Sequence, residues 1–119
     1  MVRPIGLLPF VPGGRDFSRS RELFRQLGFD ERWEQSGYAE FCSGQAKFIL
    51  QDLDEPAFAS NLMLKIELPD LDGWWADMRK LNLAERFPGV RIKPPTDYPW
   101  GREVHLIDLA GVCWHFGLP

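Results

Sequence analysis

Residues 98–117 read YPWGREVHLIDLAGVCWHFG. They contain the only two histidines of the chain, His105 and His115, together with Cys113, Trp100 and Trp114. Imidazole and thiolate are metal ligands, but a divalent ion needs several such donors to converge. A thiol beside an imidazole is also a nucleophile beside a base. Cys113 and His115 are two residues apart, and a strand turns such residues to one side. That spacing permits a pair, whereas a small buried filler is the commoner role of a cysteine. Likewise, the commoner role of a histidine such as His115 is that of a hydrogen-bonded pocket-wall or core residue.

Binding without chemistry asks for less: a concave site, flat aromatic walls and a few polar anchors. Trp100 suits it. It lies between Pro99 and Gly101 in the run KPPTDYPWG, residues 93–101, which reads as an irregular insert and a binding loop. Tyr38 and Phe41 fall on one expected strand and offer an opposite wall, although only one parity can face it; Trp33 is similar. Asp30, with Glu31, Glu34 and Asp52, offers negative charge for a cationic group on a ligand. Trp74 and Trp75 belong to a helical stripe and read as core.

The elements that must position these residues repeat. DFSRSRELFRQLGF from Asp16 aligns without a gap with DLDGWWADMRKLNL from Asp70. Phe24 meets Met78, Leu27 meets Leu81 and Phe29 meets Leu83. Both stretches read as helices, with Ser18 and Asp70 or Asp72 as N-cap candidates and Gly28 and Asn82 as left-handed stops. PIGLLPFVP precedes the first and NLMLKIELP the second, both apolar runs ending at proline and read as strands. ERWEQ, YAEFCS and QAKFILQ follow the first helix; GVRIKP, REVHLID and VCWHF follow the second. Gly44 and Gly111 sit where hairpins would turn. One such unit leaves a sheet face bare, so two units are expected to pair around a concave surface.

A chain of 119 residues is the size of one domain. A net charge of −3 argues against nucleic acid, which needs a basic surface. Two cysteines make no disulfide framework, prolines interrupt the N-terminal apolar stretch, and no run approaches a membrane span. A soluble, cytoplasmic protein with no membrane partner is expected.

The pattern PWGRE, a strand, then Asp108, Ala110, Gly111, Cys113, His115 and Phe116 resembles the C-terminal signature of the bleomycin resistance proteins. These belong to the vicinal oxygen chelate, or glyoxalase/bleomycin resistance/dioxygenase, superfamily. The stretch PFVP…DFSRSRELFRQLGF resembles that family's first strand and helix. Leu109 and Val112 depart from the proline and asparagine usual in the final hairpin. LMLKIE replaces a tryptophan-rich strand.

The resemblance implies an α+β fold of two βαβββ modules, about 1–55 and 60–119, paired into a curved mixed sheet. It also implies a homodimer, often with an exchanged N-terminal strand, and ligand grooves at the interface. Metal-using members carry ligands on the first and last strands of each unit. Those positions fall near Leu7, Gln51, Met63 and His115, an incomplete set for zinc or manganese. His105 adds a donor only if it shares the cavity. The expectation is therefore sequestration of a bleomycin-type or similar planar, metal-chelating molecule, with no cofactor, no metal and no catalytic residue. Trp100, Gly101, Tyr38, Phe41, Trp33, His115, Cys113 and Asp30 are its ligand-binding candidates. The alternative is a metal-dependent lyase or dioxygenase of the same superfamily.

Overall fold

A computed structural model describes all residues, Met1–Pro119. The chain is α+β, with two four-stranded mixed sheets. The first contains β1 (Phe10–Pro12), β2 (Asp30–Gln35), β3 (Tyr38–Ser43) and β4 (Ala46–Gln51), in the order β1-β4-β3-β2. The second contains β5 (Met63–Glu67), β6 (Arg91–Tyr98), β7 (Gly101–Ile107) and β8 (Cys113–Gly117), in the order β5-β8-β7-β6. In each, the strand before the helix runs parallel to the last strand and the other pairs are antiparallel. The internal repeat thus reappears as one topology used twice.

Helix α1 (Phe17–Gln26) crosses from β1 to β2, and α3 (Leu71–Met78) follows β5. Both start on an aspartate. Asp16 accepts from the Arg19 amide at 3.0 Å and Asp70 from the Gly73 amide at 2.9 Å. The first N-cap is therefore Asp16, not Ser18, two residues earlier, because a carboxylate there reaches the free amides of the first turn. Gly28 (φ +94°) ends the α1 segment, and Asn82 (φ 52°) ends the 3-10 turn after α3. Two short helices, α2 (Pro56–Ala59) and α4 (Leu83–Arg86), complete the chain.

The core sits where the two sheets share one set of aromatic rings. Phe24 of α1 lies 4.8 Å from Phe48 and 5.3 Å from Trp114, centroid to centroid. Val104, Leu106, Trp114 and Phe116 turn to this buried side of the second sheet. By the strand period of two, Glu103, His105, Cys113 and His115 turn to the opposite face. Backbone contact joins the halves as well: a Cβ on Gly14 (φ +85°) would lie 2.9 Å from the Cα of Ala110, so the last hairpin turn rests against bare backbone.

Two expectations need correction. KPPTDYPWG is not an irregular insert: β6 runs to Tyr98, and only Pro99 and Trp100 form a turn. The prolines are tolerated because β6 is an edge strand and Pro94 and Pro95 sit in a register shift between Lys93 and Thr96. PIGLLPFVP is strand only over Phe10–Pro12; the first nine residues form no helix or strand, and Ile5 and Leu7 are exposed.

Candidate ligand-binding site

Glu103 organises the open face of the second sheet. It lies on β7, and its side chain is only 3% exposed. Three donors converge on its Oε1, each at 3.0 Å: Trp100 Nε1, His105 Nε2 and His115 Nδ1. Lys65 of β5 brings its Nζ to 3.6 Å from Oε2. Gly117, paired opposite on β8, leaves the room; a Cβ there would be 3.0 Å from Glu103 Cγ. Burial alone would raise the pKa of this carboxyl. Hydrogen bonds from Trp100, His105 and His115, with the charge of His115, outweigh burial and hold it at about 2. Glu103 is thus an ionised acceptor at neutral pH, which fixes the protons on His105 Nε2 and His115 Nδ1.

The remaining side chains form an aromatic ladder. Tyr98 is nearly parallel to Trp100 (4.9 Å, 9°) and to His105 (4.8 Å, 12°). The Tyr98 hydroxyl donates to His105 Nδ1 at 3.3 Å. His105 and His115 are direct register partners, their rings 4.0 Å apart. Trp100 is 64% exposed despite its bond to Glu103, so its ring is both held and available. A cleft of ≈ 270 Å³ opens beside it, lined by Trp100, Gly101, Lys65, Arg102 and Glu103, among others.

Cys113 lies on the same face as His115, one strand away from His105. Burial, then the negative charges of Asp108 and Glu103, raise its pKa. A thiol kept protonated in this way is a poor nucleophile.

The expected residues divide between the two sheets. Trp100, Gly101, Cys113 and His115 come together on the second. Trp33 and Tyr38 come together on the first, where they line an open depression of ≈ 380 Å³ with Phe10 and Ile49. Asp30 is exposed at the start of β2, paired with Cys42. Phe41 lines neither surface: it is fully buried, stacked on Phe48 at 5.5 Å, because its parity is opposite to that of Tyr38. A larger cleft of ≈ 810 Å³, between β5, α3 and the β3–β4 turn, touches none of these candidates.

The metal positions implied by resemblance do not fit an ion. Leu7 carries no donor and is 85% exposed, and Met63 is a thioether exposed beside Cys113. Sequence reasoning left out Glu103, Tyr98 and Lys65. For Glu103 the signal was present: residues 101, 103, 105 and 107 alternate on one face of a strand whose hairpin partner is 113–117.

Two four-stranded mixed sheets of βαβββ connectivity define the glyoxalase/bleomycin resistance fold. Solved structures agree. A bleomycin-binding protein from bleomycin-producing Streptomyces verticillus, complexed with copper(II)-bleomycin, superposes with a TM-score of 0.83 at 22% identity over 100% of this chain and 99% of its own. A bleomycin resistance determinant encoded on the transposon Tn5 gives 0.76 at 22% identity over 95% and 96%. An antibiotic binding protein from Streptomyces sp. CB03234 gives 0.75 at 23% identity over 100% and 98%. No protein-family model matches the chain, and no curated protein matches it in sequence. No helix is long and apolar enough to cross a membrane.

Proposed function

We propose that this chain sequesters a planar, metal-chelating small molecule of the bleomycin type, without chemistry, in grooves at a homodimer interface. The observation that carries this reading is the exposed but hydrogen-bonded Trp100 stacked on Tyr98. A held ring loses little entropy when a flat ligand stacks on it. The structures similar to this chain include proteins solved with bleomycin bound, which supports the choice of ligand.

Two features favour a second subunit. The clefts at Trp100 and at Trp33–Tyr38 are separate and open, whereas ligand sites bury most of a drug-sized molecule. Val2, Ile5, Leu7 and Phe10 are apolar and at least half exposed along the N-terminal segment, as suits a strand exchanged with a partner. Trp33, Tyr38 and Asp30 of one subunit would then face Trp100, Gly101, Cys113 and His115 of the other. A protonated Cys113 thiol and a fully engaged Glu103 provide neither nucleophile nor free base, which favours binding over turnover.

Titration of tryptophan fluorescence with metal-free and copper-loaded bleomycin is expected to give saturable quenching at micromolar drug. Trp100→Ala should weaken it roughly 5- to 150-fold, the equivalent of about 1–3 kcal/mol of stacking and cation–π contact. Absence of quenching by either form, or equal affinity in the variant, overturns the reading. Sizing in solution checks the interface, and a monomer that binds drug removes the groove between subunits.

A further inference from the structure

We infer that His105, Cys113 and His115 form a site for a borderline-soft divalent ion of the zinc class, held by two nitrogens and one sulfur. One donor atom from each residue lies within 4.8 Å of the other two. In a tetrahedral zinc site such donors stand roughly 3.3–3.8 Å apart, so closure needs about 1 Å of side-chain movement. Three neighbouring positions on one hairpin supply the set: His105 faces His115 directly across the ladder, and Cys113 is two residues before His115. The ligands therefore come from β7 and β8, not from Leu7, which precedes β1, or Met63 of β5.

The surroundings are arranged as a metal site requires. Histidine ligands donate their other ring N–H to a carboxylate, which fixes the tautomer and raises the basicity of the ligating nitrogen. Both imidazoles donate to the same oxygen of Glu103, so the lone pairs turned away from it are those of His115 Nε2 and His105 Nδ1. His115 Nε2 is buried without any hydrogen-bond partner. A buried acceptor left unpaired is costly, and an ion satisfies it. His105 Nδ1 has only the long contact to the Tyr98 hydroxyl at 3.3 Å. Imidazole with thiolate selects zinc, cobalt or copper over magnesium and calcium. Three protein ligands leave the fourth position to water or a ligand donor.

The site stands or falls without any drug, so its test uses the reduced, metal-free protein alone. Cobalt(II) is expected to bind one per chain, giving intense tetrahedral visible bands and a near-ultraviolet thiolate-to-cobalt charge-transfer band. Cys113→Ser should abolish the charge-transfer band, and Cys42→Ser should leave it unchanged. Glu103→Gln should weaken binding roughly 10- to 100-fold through the histidines it orients. In the wild type, zinc should protect Cys113 but not Cys42 from alkylation, a measurement that does not depend on the variants folding. Cobalt binding without a thiolate band, a band that survives Cys113→Ser, or alkylation of Cys113 unaffected by zinc overturns the site.

Discussion

Asp108→Ala is expected to destabilise the domain by about 3–5 kcal/mol in urea denaturation at neutral pH, near the top of the single-substitution range. Asp108 is 4% exposed and accepts four hydrogen bonds. Its Oδ1 takes the amides of Ala110 (2.9 Å), Gly111 (3.0 Å) and Val112 (3.0 Å). Its Oδ2 takes the indole of Trp114 at 2.8 Å. Val112 and Trp114 are themselves buried, so alanine leaves their N–H groups without water or protein partners. Each such orphan costs about 1–3 kcal/mol, and partial opening of the turn limits the sum. Asparagine should fall between, since its amide nitrogen must meet a donor on one side. The damage spreads because this turn sets the β7–β8 register that puts His105 against His115 and rests on Gly14 of the first half. A loss below about 1 kcal/mol for alanine would show that water replaces the carboxylate.

The sequence carried this hairpin well and the site around it less well. Gly111 was legible as a hairpin turn, since glycine there has a local purpose, whereas Asp108 and Ala110 entered only through the resemblance. The two helices were legible because their apolar spacing repeats; Asp70 caps the second as one of its two candidates, and only the first start was displaced, from Ser18 to Asp16. Pro94 and Pro95 misled, since proline denies a strand only where its missing N–H is needed, and an edge does not need it. Parity separated Tyr38 from Phe41, but which parity faced the core depended on Phe24 packing across α1. The repeat put Trp33 and Tyr38 in the first unit and Trp100 and His115 in the second, but no local pattern could show that the two groups would line separate surfaces. That is set by how the two halves share their core, through contacts far apart in sequence.

Glu103→Gln should reveal a pH-dependent share of stability of roughly 3 kcal/mol, the worth of holding a carboxyl at about 2 instead of its ordinary 4.5. A folded pKa below the unfolded one means that the folded state favours the ionised form. The contribution is therefore complete above about 4.5 and is lost as pH falls from there toward about 2. The groups that face this carboxylate are His105 on its own strand, His115 on β8, Lys65 on β5 and Trp100 in the turn. Burial works against ionisation of Glu103, and the hydrogen bonds from Trp100, His105 and His115 outweigh it. Asp108 works in the opposite sense: burial raises its pKa, and acid protonates it more readily folded than unfolded. Because wild type and variant both keep Asp108, its effect cancels in their difference. The expected result is a stability gap between the two proteins that is widest at neutral pH and closes on acidification. A gap that stays constant from neutral pH to about 2.5 would mean that Glu103 is held by packing and not by charge. It would also remove the fixed N–H directions on which the free nitrogens of His105 and His115 depend.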